Sequence, residues 1–291
     1  MAKIDKISNL NRLDVKNVLI VISYLCKKFF RIDPSQTEVN VYQYYNFLIS
    51  VNGYFVSETI SEIVSDFRNN TKKTIKLRKK PSSDFDVFQQ VFIGVEYHKV
   101  IEEYKNNFSN YKNYKINIID AGTNIGLTSL IFNDNFDEPN IVCIEPEKEN
   151  FKVLKFNLYN YKNIFQINGG LWSSNTYLHV VRDFRDKKDW SFRVEETTDV
   201  NDIRAYSIDQ ICKDSKFQFI DILKIDIEGS EKQIFTAKNV DLNFLKITKL
   251  IAIEIHDEFN CRNEIYSILE AFGFVYFNHG ELTIGVNQNF N

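Results

Sequence analysis

The chain has 291 residues, 44% of them hydrophobic and 26% charged, with 36 Lys and Arg against 39 Asp and Glu for a net charge of −3. That length suits one large domain, or one domain with an appendage, and buries enough surface for a core without staples. Near-balanced charge argues against a dedicated nucleic-acid binder. The cysteines at 26, 143, 212 and 261 are too far apart for a zinc cluster. With no disulfide spacing and no signal peptide, a cytoplasmic location is expected.

Residues 1–82 read as a helical appendage, suited to oligomerisation or to capping an acceptor site. Val15 to Phe30 and Val39 to Ser50 look helical, and Gly53 to Asp66 mixes β-branched and polar residues. The longest apolar run, Val18 to Leu25, is interrupted by Ser23 and closed by Lys27 and Lys28. It falls short of the ~20 residues of a membrane span and reads as a buried or partner-facing helix rather than a membrane-surface one. Lys72 to Lys80 is strongly basic and Pro81 ends it. A solvated edge strand whose lysines discourage pairing is expected there; a contact for an acidic substrate is the alternative.

From 83 to 291 the pattern sharpens. Asp86 to Tyr104 reads as a helix or helix pair. Strands are expected at Ile116–Asp120, Ile141–Glu145, Ile164–Asn168, Ile220–Asp226 and Leu250–His256, with helices after the first two. Phe274–Phe277 and Leu282–Val286 flank a turn and read as a hairpin. Alternating strands and helices imply an α/β fold with a doubly wound, mostly parallel sheet, closed by that C-terminal antiparallel hairpin. Ligands of such sheets lie beyond the carboxyl ends of the strands.

The first strand runs into Asp120-Ala121-Gly122-Thr123-Asn124-Ile125-Gly126. Gly122 and Gly126 let backbone amides at Thr123 and Asn124 approach a ligand at the positive end of the next helix. The spacing is not the G-x-G-x-x-G of a dinucleotide fold, and Asp120 suits an ammonium or sulfonium better than a diphosphate. Glu145, followed by Pro146, ends the second strand and can accept hydrogen bonds from ribose hydroxyls. A cationic ligand with an adenosine-like ribose is implied, and S-adenosylmethionine meets both conditions. Asn168 and Gly169, after the third strand, are expected at the adenine, with Phe151 as a rival neighbour.

In the fourth strand, alternation places Lys224, Asp226 and Glu228 on one face; in the fifth it groups Ala252, Glu254 and His256. A buried ammonium needs an anion, and a Lys224–Glu254 pair is expected. His256 is the expected general base, oriented by Asp226 or Glu228, with a purely structural histidine as the alternative. Asp226 could equally hold a methionine amino group. The acids permit a divalent metal without requiring one, and none is favoured. Between the third and fourth strands, Tyr177–Val181 and Trp190–Val194 are expected to pair. Arg182, Arg185, Lys187, Lys188, Trp190, Phe192 and Arg193 there suggest a surface for carbohydrate or an anionic acceptor.

Three blocks, DAGTNIG at 120–126, IEPEKENF at 144–151 and DILKIDIEGSE at 221–231, resemble those of FkbM-type S-adenosylmethionine-dependent methyltransferases. IEIH at 253–256 adds to the likeness, and SDFDVFQQVFIGVEY at 83–97 is a weaker upstream match. The resemblance implies a class I, Rossmann-like methyltransferase fold, with Tyr97 or Gln90 near the cofactor. It also implies O-methylation of a hydroxyl on a sugar, glycan, glycolipid or related small molecule. Rival readings are a nucleic-acid or protein methyltransferase and a non-catalytic scaffold. Residues 221–231 lack the Asn/Asp-Pro-Pro-aromatic pattern of amino methylation of bases, so no nucleic-acid partner is expected.

Overall fold

The computed structural model describes residues 8–68, 72–108, 112–181, 193–238 and 240–290. The chain divides into two compact units, Met1–Lys80 and Pro81–Asn291.

In the first unit, helix α1 (Val15–Phe29) starts where the Asp14 carboxylate accepts from the Asn17 backbone N–H. Helix α2 (Gln36–Ser50) opens on a capping box between Ser35 and Glu38. Glu38 also accepts from Ser23 at 2.6 Å and Lys27 at 2.9 Å, tying α2 back to α1. An antiparallel meander follows, which the helical expectation did not include: β1 (Gly53–Glu58), β2 (Glu62–Arg68) and β3 (Lys72–Arg78), paired in that order. The basic run therefore forms an edge strand and its exit. Lys72, Lys76 and Lys79 are answered by Asp66, Glu62 and Glu58.

The second unit opens with α3 (Asp84–Phe88), a π turn at Gln89–Ile93 and α4 (His98–Asn107). There follow β4 (Asn117–Ala121), α5 (Leu127–Asn135), β5 (Asn140–Glu145), α6 (Lys148–Asn157) and β6 (Ile164–Asn168). The short β7 (Gly170–Leu171), β8 (Thr176–Val181), β9 (Arg193–Thr197) and β10 (Ile203–Tyr206) make a small side sheet in the order β7-β10-β8-β9. The chain then returns through α7 (Ile208–Ser215), β11 (Ile220–Ile225), α8 (Glu231–Thr236), β12 (Thr248–Glu254), α9 (Arg262–Ala271), β13 (Phe274–His279) and β14 (Leu282–Asn287).

The main sheet has the order β13-β14-β12-β11-β4-β5-β6. β6, β5, β4, β11 and β12 run parallel, and β14 and β13 add the antiparallel hairpin. The winding reverses between β4 and β11, so their carboxyl ends frame the crevice. Every residue of β11 is buried, as a strand covered by helices on both faces requires. One apolar cluster, including Ile119, Val142, Leu223, Ile251, Ile265 and Leu269, fills one side of the sheet.

β8 does pair with β9, with Val181 opposite Arg193 and Val180 opposite Val194. Arg182, Arg185, Lys187, Lys188, Trp190 and Phe192 lie outside the described residues.

Candidate functional site

A cavity of about 290 Å³ opens at the carboxyl ends of β4 and β11. Its floor is the turn leaving β4. Gly122 has φ +75°, and a Cβ there would stand 1.6 Å from the Asp226 carbonyl oxygen. Only glycine fits so close a backbone crossing. The Gly122 and Thr123 amides donate to the Ile144 carbonyl, and the Thr123 hydroxyl donates to the Asp120 carbonyl at 2.7 Å. Asn124 adopts a left-handed conformation, φ 53°. Its Oδ1 is buried with no hydrogen-bond partner among the described residues, and Asn124 faces the cavity. Gly126, φ +88°, packs against Leu158 and is not part of the lining.

Glu145 closes one side. It accepts from the Asn124 amide at 2.8 Å, the Glu147 amide at 3.0 Å and Asn150 Nδ2 at 3.2 Å. Burial still pushes its carboxyl up to about 7 against those donors. Two of these bonds fall on Oε1 and one on Oε2, which leaves an acceptor site on Oε2. Pro146, Gly170, Leu171 and Leu178 continue this wall.

Four sequence expectations need correction. Asp120 does not face the cavity: it is fully buried, takes the Ser129 hydroxyl at 2.6 Å and lies 3.5 Å from Lys224. Lys224 does not pair with Glu254. It stands opposite Asp120 in the parallel register, bonds the Ala121 and Gly122 carbonyls, and faces Asp226 at 3.3 Å. Asn168 is exposed and staples its own loop, donating to the Glu145 and Pro146 carbonyls. At Gly169 the space a Cβ would take is filled by the Arg204 carbonyl and the Tyr206 ring, so neither residue opens room for a base.

The fourth correction concerns His256. The ring is buried among three carboxylates: Nδ1 is 3.3 Å from Glu231, and Nε2 is 3.5 Å from both Glu228 and Glu254. Burial opposes its charge, but Glu228 and Glu231 outweigh it and lift the pKa to about 11. A ring so held is already protonated near neutrality and cannot take a proton. Glu231 is itself buried and accepts the Ile227 and Gly229 amides at 3.2 and 3.3 Å. Glu228 takes a left-handed backbone, φ 55°.

Asp226, Glu228 and Glu254 do reach the cavity, as do Tyr97 and Gln90. Glu96 and Glu281, which the motifs did not single out, complete an acidic rim. Burial first, then Asp226, raises the pKa of both Glu96 and Glu254. Val95, just before Glu96 and Tyr97, has φ 52°. A left-handed conformation is unusual for a β-branched residue, and such strain gathers where side chains are aimed at a site. The only sequence hint for Glu281 was its turn between two strands. Among the described residues, no group of three or more His, Cys, Asp or Glu is placed to hold a metal ion.

The cavity thus offers an unsatisfied amide oxygen, a carboxylate suited to vicinal hydroxyls, and acids that answer positive charge. That set fits a ligand with a ribose and a cationic tail. Residues 120–276, more than half of the chain, match the family described as the methyltransferase FkbM domain. The chain is similar to the methyltransferase sdnD of Sordaria araneosa, 27% identical over 190 residues, spanning 54% of this chain and 73% of that protein. Among solved structures it is similar to a methyltransferase from Geobacter sulfurreducens (13% identity, 70% of this chain and 88% of that chain, TM-score 0.37). It is also similar to a precorrin-6y C5,15-methyltransferase from Geobacter metallireducens (10% identity, 65% and 88%, TM-score 0.36).

Proposed function

The chain belongs to the FkbM methyltransferase family, and on that premise we propose that it uses S-adenosylmethionine to methylate a hydroxyl of a sugar, glycan, glycolipid or related small molecule. The observation that carries this is the convergence of Asp226, Glu228 and Glu254 on the cavity that also holds the 122–124 turn and Glu145. When bound, S-adenosylmethionine supplies a methyl group made electrophilic by its sulfonium. The residues present fit it: Glu145 for the ribose hydroxyls, Gly122 to Asn124 beneath the chain, Asp226 for the amino group. Pro146 and Leu171 offer apolar contact to the base.

Transfer needs the acceptor oxygen, methyl and sulfur in line, which is a positioning task. It also needs a base for the hydroxyl proton. Glu254 stands on the cavity wall with its pKa lifted to about 9 by burial and then Asp226, so it holds a proton near neutrality; a cation bound beside it favours the ionised form and makes it available as the base. Once Glu254 is ionised beside that cation, the hydroxyl proton passes to it as the acceptor oxygen takes the methyl group. His256, a buried cation, holds Glu228 and Glu254 in place. A rim of Glu96, Asp226, Glu228, Glu254 and Glu281 would repel a phosphate backbone, which weighs against a nucleic-acid acceptor.

Calorimetry with S-adenosylhomocysteine should show binding to the full chain. Incubation with S-adenosylmethionine and a panel of glycosides should give a base-stable methyl ether by mass spectrometry. Methylation confined to amines or to nucleic acid would overturn the O-transfer reading while leaving the cofactor assignment intact.

A further inference from the structure

The first unit carries charge of the opposite sign to the second. Residues 1–80 hold 14 Lys and Arg against 7 Asp and Glu, a net of +7, whereas residues 81–291 hold 22 against 32, a net of −10. Such asymmetry between parts of one chain points to an anionic partner for the basic part. Much of the charge on β3 is spent on Asp66, Glu62 and Glu58 within the unit. The segment around α1 is paired, among the described residues, at only two of its four cations, Lys16 and Lys27. From Val15 to Ile32 it contains Lys16, Lys27, Lys28 and Arg31 and no acid.

Val21 and Asn17 face inward from α1. On the opposite side, Val15, Leu19, Ile22, Cys26 and Phe29 follow one another at spacings of four, three, four and three, a single stripe of the helix. They are exposed, Val15 at 77%, Leu19 at 63% and Phe29 at 76%. Phe30 at 68% and Ile32 at 55% extend the stripe past the helix end. The run at 18–25, expected from sequence as a buried or partner-facing helix, thus belongs to a longer face, 15–32, whose apolar stripe is exposed. Lys16 and Lys27 flank it, paired to Glu58 and Glu38, and Lys28 and Arg31 stand exposed at its aromatic end.

From this we infer that the α1 stripe, with Phe29, Phe30 and Ile32, docks on the surface of an anionic phospholipid bilayer. A helix lying in the interface presents apolar side chains to the acyl boundary and cations to the headgroups, and long basic side chains flanking the stripe reach outward to them. Each cation near an anionic surface adds attraction. A second copy of the chain is the poorer occupant. Pairing two such helices would set cation-only segments side by side, whereas paired helices are held by opposite charges along their flanks. A nucleic acid would use the cations but leave Val15, Leu19 and Ile22 exposed to water. Among the described residues no helix is long and apolar enough to cross a membrane, so the contact is peripheral.

The test is co-sedimentation of the full chain with phosphatidylcholine vesicles, with and without phosphatidylglycerol. Binding is expected only with phosphatidylglycerol, weakening as salt rises. Two double variants, Phe29→Ser with Phe30→Ser and Lys28→Glu with Arg31→Glu, should each weaken it about tenfold. Both pairs are exposed, so circular dichroism and S-adenosylhomocysteine calorimetry should match the parent. A folded parent that stays in the supernatant, or variants that bind as the parent does, overturn the inference. So does a dimer in light scattering that Leu19→Glu dissociates, because the stripe then belongs to a second copy.

Discussion

Strand β11 carries an aspartate at each end, and the protein treats the two differently. At its start Asp221 is closed in by donors: the Tyr104 hydroxyl at 2.6 Å, the Tyr114 hydroxyl at 3.0 Å, the Asn117 amide at 2.7 Å and Lys249 at 2.7 Å. Just past its end Asp226 has Lys224 at 3.3 Å and shares a cavity with Glu96, Glu228, Glu254 and Glu281. Buried charge fully met by donors is scaffold. On the cavity wall the carboxylates outnumber the cations Lys224 and His256 that face them, which leaves negative charge in surplus for a cationic ligand. Burial first, and Asp226 after it, raises the pKa of Glu254 and of Glu96 there.

Removing the cation at the open end should hurt most. Lys224→Met leaves Asp120 as a fully buried carboxylate, and about 3–5 kcal/mol of stability should be lost in urea titration. Adding Asp120→Asn should restore a large part of it, because the stranded charge is then gone. A single variant as stable as the parent would break the comparison. At the closed end, Asp221→Ala should cost about 3 kcal/mol by leaving Lys249 and two tyrosines without their acceptor. Cofactor affinity of the folded fraction should not change, which separates the two ends.

Glu254→Gln sharpens the contrast. Its kcat should fall about a hundredfold, with folding and cofactor affinity near the parent's and the basic proton acceptor missing from the pH–rate profile. The smallest effect lies at Glu145, whose carboxyl sits at about 7 rather than the ordinary 4.5. Above that pH the ionised group keeps its remaining acceptor site, on Oε2, open to a ligand hydroxyl. As pH falls through about 7 it protonates, and affinity for S-adenosylhomocysteine should weaken about tenfold. In Glu145→Gln the affinity should be low and flat across the same range. The sign for folding is opposite to that for binding. A carboxyl raised in the folded state favours the fold most below pH 4.5, and that advantage is lost as pH rises through about 7.

Strand ends in the second unit could be read from sequence to within a residue or two. An apolar run closed by an acid, as at Asp120, Glu145 and Asp226, marks where a buried strand stops. The crevice followed from their order. Neighbours across strands could not be read. Alternation puts Lys224 and Glu254 on matching faces, but which residue stands beside Lys224 depends on register, and the register sets Asp120 and Ala252 there, with Glu254 further along. His256 failed for a related reason. A histidine at a strand end looks like a base until Glu231, brought in from α8, closes on its other nitrogen. Of the meander, β3 was legible as an edge strand at Lys72–Lys80, whereas β1 and β2 showed only a mix of β-branched and polar residues, because paired charges on their polar faces blur the alternation. Glu96 and Glu281 reach the site from a strained loop and a hairpin turn, neither of which leaves a motif.

Gly122 and Asp226 are locked together by more than a close approach. The Asp226 amide donates to the Ala121 carbonyl at 3.1 Å, and Lys224 donates to the Gly122 carbonyl at 2.7 Å. The turn leaving β4 and the end of β11 are therefore one joint of main chain. The Asp226–Ala121 bond is main chain to main chain, so that part of the joint does not depend on any rotamer facing the cavity. Side chains along the rim can change over evolutionary time, and under the function proposed above the choice of acceptor with them, while this joint keeps the floor of the cavity fixed.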